Sequence, residues 1–322
     1  MSSEVLNNNN GNGNGSFKGQ IWAVGGGKGG TGKSLIISNL GICLSRTGRD
    51  VLLVDADLGG ANLHSCLGNS FPSVTLSDFI RKKVSSIKDV TIDTGIPHLS
   101  LISGAEDYLE VANTNYAQKM RLLRQITFVD SDYILLDLGA GTTFNTLDFF
   151  LIADSGIIVV TPEPTSIENA YRFIKSVFYR RLKKIVRHQG VREIIVEVMD
   201  RKNELGIKTP VELINYIGLI NNDIGQRFKE EVLKFRPKLI MNNVRSRADI
   251  NVGFSIKSTC LKYFGINIAY VGYIEYDESV WQAVRRRKPF LLEYPNTRPA
   301  KCLERITKNI IMNKDIEEEF IL

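Results

Sequence analysis

The residues best equipped for chemistry lie in one loop of the 322-residue chain, Gly27-Lys28-Gly29-Gly30-Thr31-Gly32-Lys33-Ser34, continued by Leu35. The spacing is G-x-x-x-x-G-K-[ST]. Glycines reach positive φ, so successive backbone N–H groups can turn inward as an anion cradle. A helix starting there adds the positive end of its dipole. Lys33 is placed to reach the β- and γ-phosphates of a nucleotide, and the Ser34 hydroxyl suits Mg²⁺. The flanks agree with this reading: apolar Ile21-Trp22-Ala23-Val24 precedes the loop, and helix-forming Leu35-Ile36-Ile37-Ser38-Asn39-Leu40 follows it. Strand, glycine loop and helix are the context that separates this motif from a chance glycine-rich turn.

Two further strands must bring acids to the loop. Val51-Leu52-Leu53-Val54 ends in Asp55-Ala56-Asp57, and Tyr133-Ile134-Leu135-Leu136 ends in Asp137-Leu138-Gly139-Ala140-Gly141. Unbroken apolar runs of this length mark strands buried on both faces of a parallel sheet, whose C-terminal ends carry ligands. An aspartate ending such a strand binds Mg²⁺, commonly through its coordinated water, which assigns Asp137 to the metal. Asp57 could alternatively cap a following helix. Ser155–Val160 reads as another strand, Pro162 and Pro164 stiffen the turn after it, and Thr165 or Ser166 is expected to cap the next helix. Pro237–Val244 and Ile268–Ile274 complete the buried strands. The carboxamide of Asn242, at a strand end, can donate and accept at once, which suits an adenine edge; a structural turn asparagine is the alternative.

Lys28 is one cation more than the phosphate loop needs. The run Lys28–Ser34 resembles the deviant phosphate loop of the MinD/ParA family of P-loop ATPases. Asp137-Leu-Gly-Ala-Gly141 with Thr161-Pro-Glu-Pro-Thr-Ser166 is similar to the flagellar-number regulators FlhG/FleN within that family. The match covers roughly residues 20–175 and 237–305. It implies an α/β P-loop NTPase fold, a mostly parallel twisted sheet with helices on both faces. It implies slow hydrolysis of ATP with Mg²⁺ in a homodimer that sandwiches two ATP. Lys28 would then reach the partner's phosphates rather than being a solvated surface lysine. Asp57, opening a first switch segment through Leu63, would position the attacking water; Asp55 would help organise Mg²⁺ or the loop, and Asn242 would meet adenine. Lys28, Lys33 and Asp57 are thus the expected catalytic set, Gly27–Leu35 with Asn242 the nucleotide set, and Ser34, Asp55 and Asp137 the metal set. The family also implies a protein partner that stimulates hydrolysis, and an output in the placement or number of flagella or of another cargo.

Residues 1–18, rich in Asn and Gly, are expected to be a disordered tail, and 19–322 one ATPase domain with a helical, charged insertion at about 178–236. Within 172–187, Arg172, Lys175, Arg180, Arg181, Lys183, Lys184 and Arg187 occur with no acid among them. Such a helix could lie on DNA or an anionic membrane, or could simply be the solvated face of a packed helix. A nucleotide-gated DNA- or membrane-binding partition ATPase is therefore the second reading. The chain carries a net charge of +6 and its hydrophobic content is 43%, which is ordinary for a globular core. The four cysteines are scattered with no C-x-x-C, which argues against an iron–sulfur carrier. No apolar run is long enough to span a membrane, and the expected location is the cytoplasm, with a peripheral place at membrane or nucleoid open.

Overall fold

The computed structural model describes residues 19–57, 60–104, 116–185, 189–199 and 204–317. The expected tail, Leu58 and Gly59 of the switch segment, Arg187 and the acidic end from Glu318 lie outside these residues. In chain order the elements are β1 (Gln20–Gly25), α1 (Lys33–Ser45), β2 (Val51–Asp55), α2 (Leu63–Cys66), α3 (Leu76–Ile80), β3 (Thr91–Asp93), β4 (Leu99–Ile102), α4 (Tyr116–Thr127), β5 (Tyr133–Asp137), α5 (Phe144–Ile152) and β6 (Ser155–Val160). There follow α6 (Pro164–Ile185), α7 (Gln189–Met199), α8 (Pro210–Ile220), α9 (Asn222–Lys234), β7 (Lys238–Val244), α10 (Arg247–Thr259), β8 (Ala269–Glu275), α11 (Glu278–Arg286), α12 (Phe290–Glu293) and α13 (Arg298–Ile311).

The strands form one sheet in the order β3-β4-β2-β5-β1-β6-β7-β8. Every pair is parallel except β3 with β4. From β1 the chain first builds toward β4 and then, after β5, builds the other way through β6. The C-terminal end of β1 is therefore a topological switch point, where such sheets open a ligand crevice. Register fixes what meets there: Asp55 lies opposite Asp137 across β2 and β5, and Val24 of β1 lies opposite Asp137 from the other side.

Alternation along the strands feeds two cores. Ile21, Ala23, Leu52, Val54, Leu136 and Ile158 pack toward α5, α6 and the helices beyond them. Trp22, Val24, Leu53, Leu135, Val159 and Ile240 pack toward α1 and α13. Trp22 is buried with its ring edge-on to Tyr133 at 5.3 Å, whereas Trp281 on α11 is exposed. In α6, Ala170, Phe173, Ile174, Val177, Phe178 and Leu182 recur at helical spacing and are all buried, so this helix forms because one face completes the core.

The expected insertion boundary at 178 falls in the middle of α6, which runs unbroken to Ile185. The segment 191–198, ambiguous between strand and helix from its composition, lies in α7. Val191, Ile195, Leu213, Ile217 and Phe228 of α7, α8 and α9 join the same core as the strands. Three of the cations of α6 are engaged. Arg180 forms a two-pronged ion pair with buried Asp148 and lies over the Phe144 ring. Arg181 pairs with Glu231, and Lys175 lies over Tyr179. Arg172 is exposed. The packed-helix alternative fits these contacts better than a free basic stripe does.

Candidate nucleotide site

The loop between β1 and α1 takes its shape from glycine. Gly30 and Gly32 adopt φ of 77° and 91°, which side chains strongly disfavour. Gly27 is packed so closely on α6 that a Cβ there would sit 2.1 Å from the carbonyl oxygen of Asn169. Helix α1 starts at Lys33 directly after Gly32, so its unpaired N–H groups open toward the cradle.

The two lysines have different surroundings. Lys33 is 8% exposed, and its ammonium donates to the carbonyl of Lys28 at 3.4 Å. Burial pulls its pKa down, while Asp137 and then Asp57 pull it back up. Lys28 turns away from the cradle. Its ammonium donates to Glu163 Oε2 at 2.6 Å and to Thr165 Oγ1 at 3.0 Å. Neither Thr165 nor Ser166 caps α6 as the sequence suggested. The helix begins at Pro164, where a missing N–H costs nothing. Thr165 receives Lys28, and Ser166 Oγ instead accepts the N–H of Thr161, holding the turn.

The acids converge as the strand register requires. Asp137 is 1% exposed. Burial pushes its carboxyl up to about 7, against the opposing pull of the Ser34 hydroxyl bonded to it and of Lys33. Asp55 is fully buried, and burial followed by the neighbouring Asp137 raises it as well. Its two oxygens accept the N–H groups of Asp57 at 3.2 Å and Leu63 at 3.0 Å. Asp55 thereby ties both ends of the 57–63 segment to the sheet. Asp57 does not cap α2, whose N-cap is Asn62. Its carboxylate lies over Gly139, where a Cβ would come within 2.7 Å of Oδ1. Gly141, at φ 94°, donates its N–H to Gly26 O at 3.1 Å and brings the 139–146 loop onto the phosphate loop. Asn242 closes the far side: its Nδ2 donates to Thr31 O at 2.8 Å. Asn243, its exposed neighbour, adopts φ 59°. Leu35 lies one residue into α1 beyond Ser34, half-buried, with its carbonyl accepting from Ser38 and Asn39.

These residues fit a magnesium nucleotide. One Asp137 oxygen and the Thr31 hydroxyl are buried without a partner. Among the described residues no cluster of three or more histidine, cysteine, aspartate or glutamate side chains could hold a metal alone. That donor set suits Mg²⁺, which takes one or two carboxylates and completes its octahedron with phosphate oxygens and water. Sequence reasoning missed Glu163 and Thr165 as the resting partners of Lys28. Their turn was legible, but nothing in the spacing tells which surface group a long flexible lysine selects.

A family model described as "ParA: NUBPL iron-transfer P-loop NTPase" matches residues 18–186. The antiactivator FleN of Pseudomonas aeruginosa is 26% identical over 294 residues, covering 90% of this chain and 86% of FleN. The flagellum site-determining protein YlxH of Helicobacter pylori is 33% identical over 162 residues, covering 48% and 52% of the two chains. The structure of the septum site-determining protein MinD from Pyrococcus horikoshii, complexed with Mg-ADP, superposes with a TM-score of 0.62 at 19% identity, covering 90% of this chain and 95% of that one. With more than half of its length matched by the family model and its sheet arranged as in MinD, the chain belongs to the MinD/ParA family of P-loop ATPases, enzymes that act on ATP with Mg²⁺.

Proposed function

We propose that the protein is an ATP-driven switch whose two subunits close around two ATP molecules, with Lys28 of each reaching the phosphates held by the other. The division of labour between two lysines of one loop carries this reading. Lys33 is buried among carboxylates beside the cradle, while Lys28 sits at the rim with its side chain 35% exposed, held by one ion pair with Glu163 and one hydrogen bond to Thr165. Exposed pairs of this kind contribute about 0–1 kcal/mol, so Lys28 can leave Glu163 at little cost. Lys33 and the loop N–H groups bind the β- and γ-phosphates and stabilise the charge that develops on transfer. Ser34 and Asp137 would hold Mg²⁺, which when bound neutralises phosphate charge. Asp57 orients water for in-line attack, Asp55 secures the loop that carries it, and Asn242 meets the adenine.

The output is the placement or number of a cellular structure, flagella foremost, with a second protein stimulating hydrolysis; the names of FleN and YlxH support this choice. Iron transfer, which the family model's description mentions, is poorly supported here. Cys43, Cys260 and Cys302 are buried on separate elements, and burial pushes the Cys43 thiol up to about 11 and Cys66 and Cys260 up to about 12, unfavourable for the thiolate a cluster needs.

The test is the solution mass of Asp57→Ala by light scattering with Mg²⁺-ATP and then with Mg²⁺-ADP. A dimer with ATP only, abolished by adding Lys28→Ala, is expected. An unchanged mass with nucleotide binding verified would refute the dimer.

A further inference from the structure

At the end of the sheet opposite the phosphate loop, β6 begins with Ser155 and β7 with Lys238. Lys238 is 6% exposed, and its ammonium donates to Ser155 Oγ at 2.9 Å. This neutral hydroxyl is a weak match for a buried ammonium, which carries three donors and a full charge. Among the described residues no carboxylate lies within ion-pair distance of it, an arrangement that is costly unless something compensates.

Beside Lys238 lies a cavity of about 240 Å³, also lined by Arg181, Lys234, Arg236 and Asp154. The carboxylates nearby are committed. Glu231 is shared by Arg181 and Lys234, Asp315 is shared by Arg236 and Lys257, and Asp154 Oδ2 accepts the N–H of Ile21 at 2.8 Å. The Nε of Arg236 is buried without a partner. Four cations thus line the cavity against one lining carboxylate, and unspent donors belong to two of them. Burial and Arg236 both pull the pKa of Lys238 down, with Asp315 opposing. An anion in the cavity would relieve both effects.

We propose that this cavity binds a single phosphate group, free or as the monoester of a small metabolite, at a site separate from the nucleotide. A tetrahedral dianion can accept from the ammonium of Lys238 and from the planar guanidinium of Arg236 together, and such charge-assisted bonds are the strong ones. The volume falls below the roughly 300 Å³ at which pockets for larger ligands begin. It admits a phosphate with a few carbons.

The experiment titrates inorganic phosphate, and separately glycerol phosphate, into the full chain in saturating Mg²⁺-ADP, so that the phosphate loop is filled, with calorimetric readout. Saturable one-to-one binding is expected, weakened at least tenfold by Lys238→Met. Lys238 is buried, so the fold of that variant is checked by circular dichroism, and Arg236→Gln at the cavity mouth is the second variant, with the same tenfold loss expected. Tighter binding of glycerol phosphate identifies an ester as ligand; equal affinity identifies the free ion. Absence of saturable binding to the unaltered chain, or unchanged affinity in both variants, overturns the proposal.

Discussion

Burial does most to tune the chemistry of individual side chains here. It raises the Asp137 carboxyl to about 7, so near neutral pH the group holds a proton for part of the time. Ligating a hard cation requires the ionised form, so on the proposed assignment of Asp137 to Mg²⁺ metal binding must expel that proton. Mg²⁺-ATP affinity is therefore expected to rise with pH up to about 7 and to level off above it. Calorimetry at pH 6.5 in buffers of different ionisation enthalpy should detect proton release, which Asp137→Asn removes. The stability sign follows from the same shift. The unfolded chain ionises at the ordinary carboxylate value near 4, while the folded chain keeps its proton to about 7, so this group's contribution to stability of the nucleotide-free protein falls as pH rises between those values. Glu163 supplies a second prediction. Glu163→Gln removes a partner worth about 1 kcal/mol at most in each subunit, so the proposed ATP-dependent dimer, which must free two Lys28 side chains, should tighten by up to about thirtyfold by light scattering, with the melting temperature nearly unchanged.

Whole elements bring these residues together, and their junctions show what the sequence made legible. The strand–loop–helix around Gly27–Ser34 and the aspartate-ended β2 and β5 could be read directly, because apolar runs, glycines and strand-end acids each have one natural place in a parallel sheet. Contacts between loops could not be read. Asp57 lies over Gly139, more than eighty positions away in the chain, and only the sheet order joins them. Gly139→Ala should leave the fold intact, since the group that must move is the end of one side chain. It should displace the Asp57 carboxylate and lower hydrolysis at least tenfold, with ATP affinity changed only a few-fold; steady-state turnover set against nucleotide titration checks this. The expected insertion boundary near residue 178 falls inside α6 for a related reason. A run of cations looks like a change of territory, but Asp148 and Glu231, which engage Arg180 and Arg181, are contributed by other helices.

Across the whole molecule, the helices between β6 and β7 share the core of the sheet rather than forming one of their own. Phe228 of α9 is fully buried within that shared core. Phe228→Ala should destabilise the entire protein by about 3–5 kcal/mol, seen as one shifted thermal transition; two separate transitions would contradict a shared core. The sequence could mark these residues as apolar and helical but could not tell which core they complete, since helical periodicity fixes a face and not its neighbour. The two tryptophans follow the same division between interior and surface. Trp22 lies on the strand leading into the phosphate loop and is 1% exposed, while Trp281, 55% exposed, lies on the helix after the β8 loop. The protein thus has a pair of built-in optical probes. A dissolved quencher such as iodide should silence Trp281 and spare Trp22, so emission from the interior and from the rim can be followed separately in the unlabelled chain.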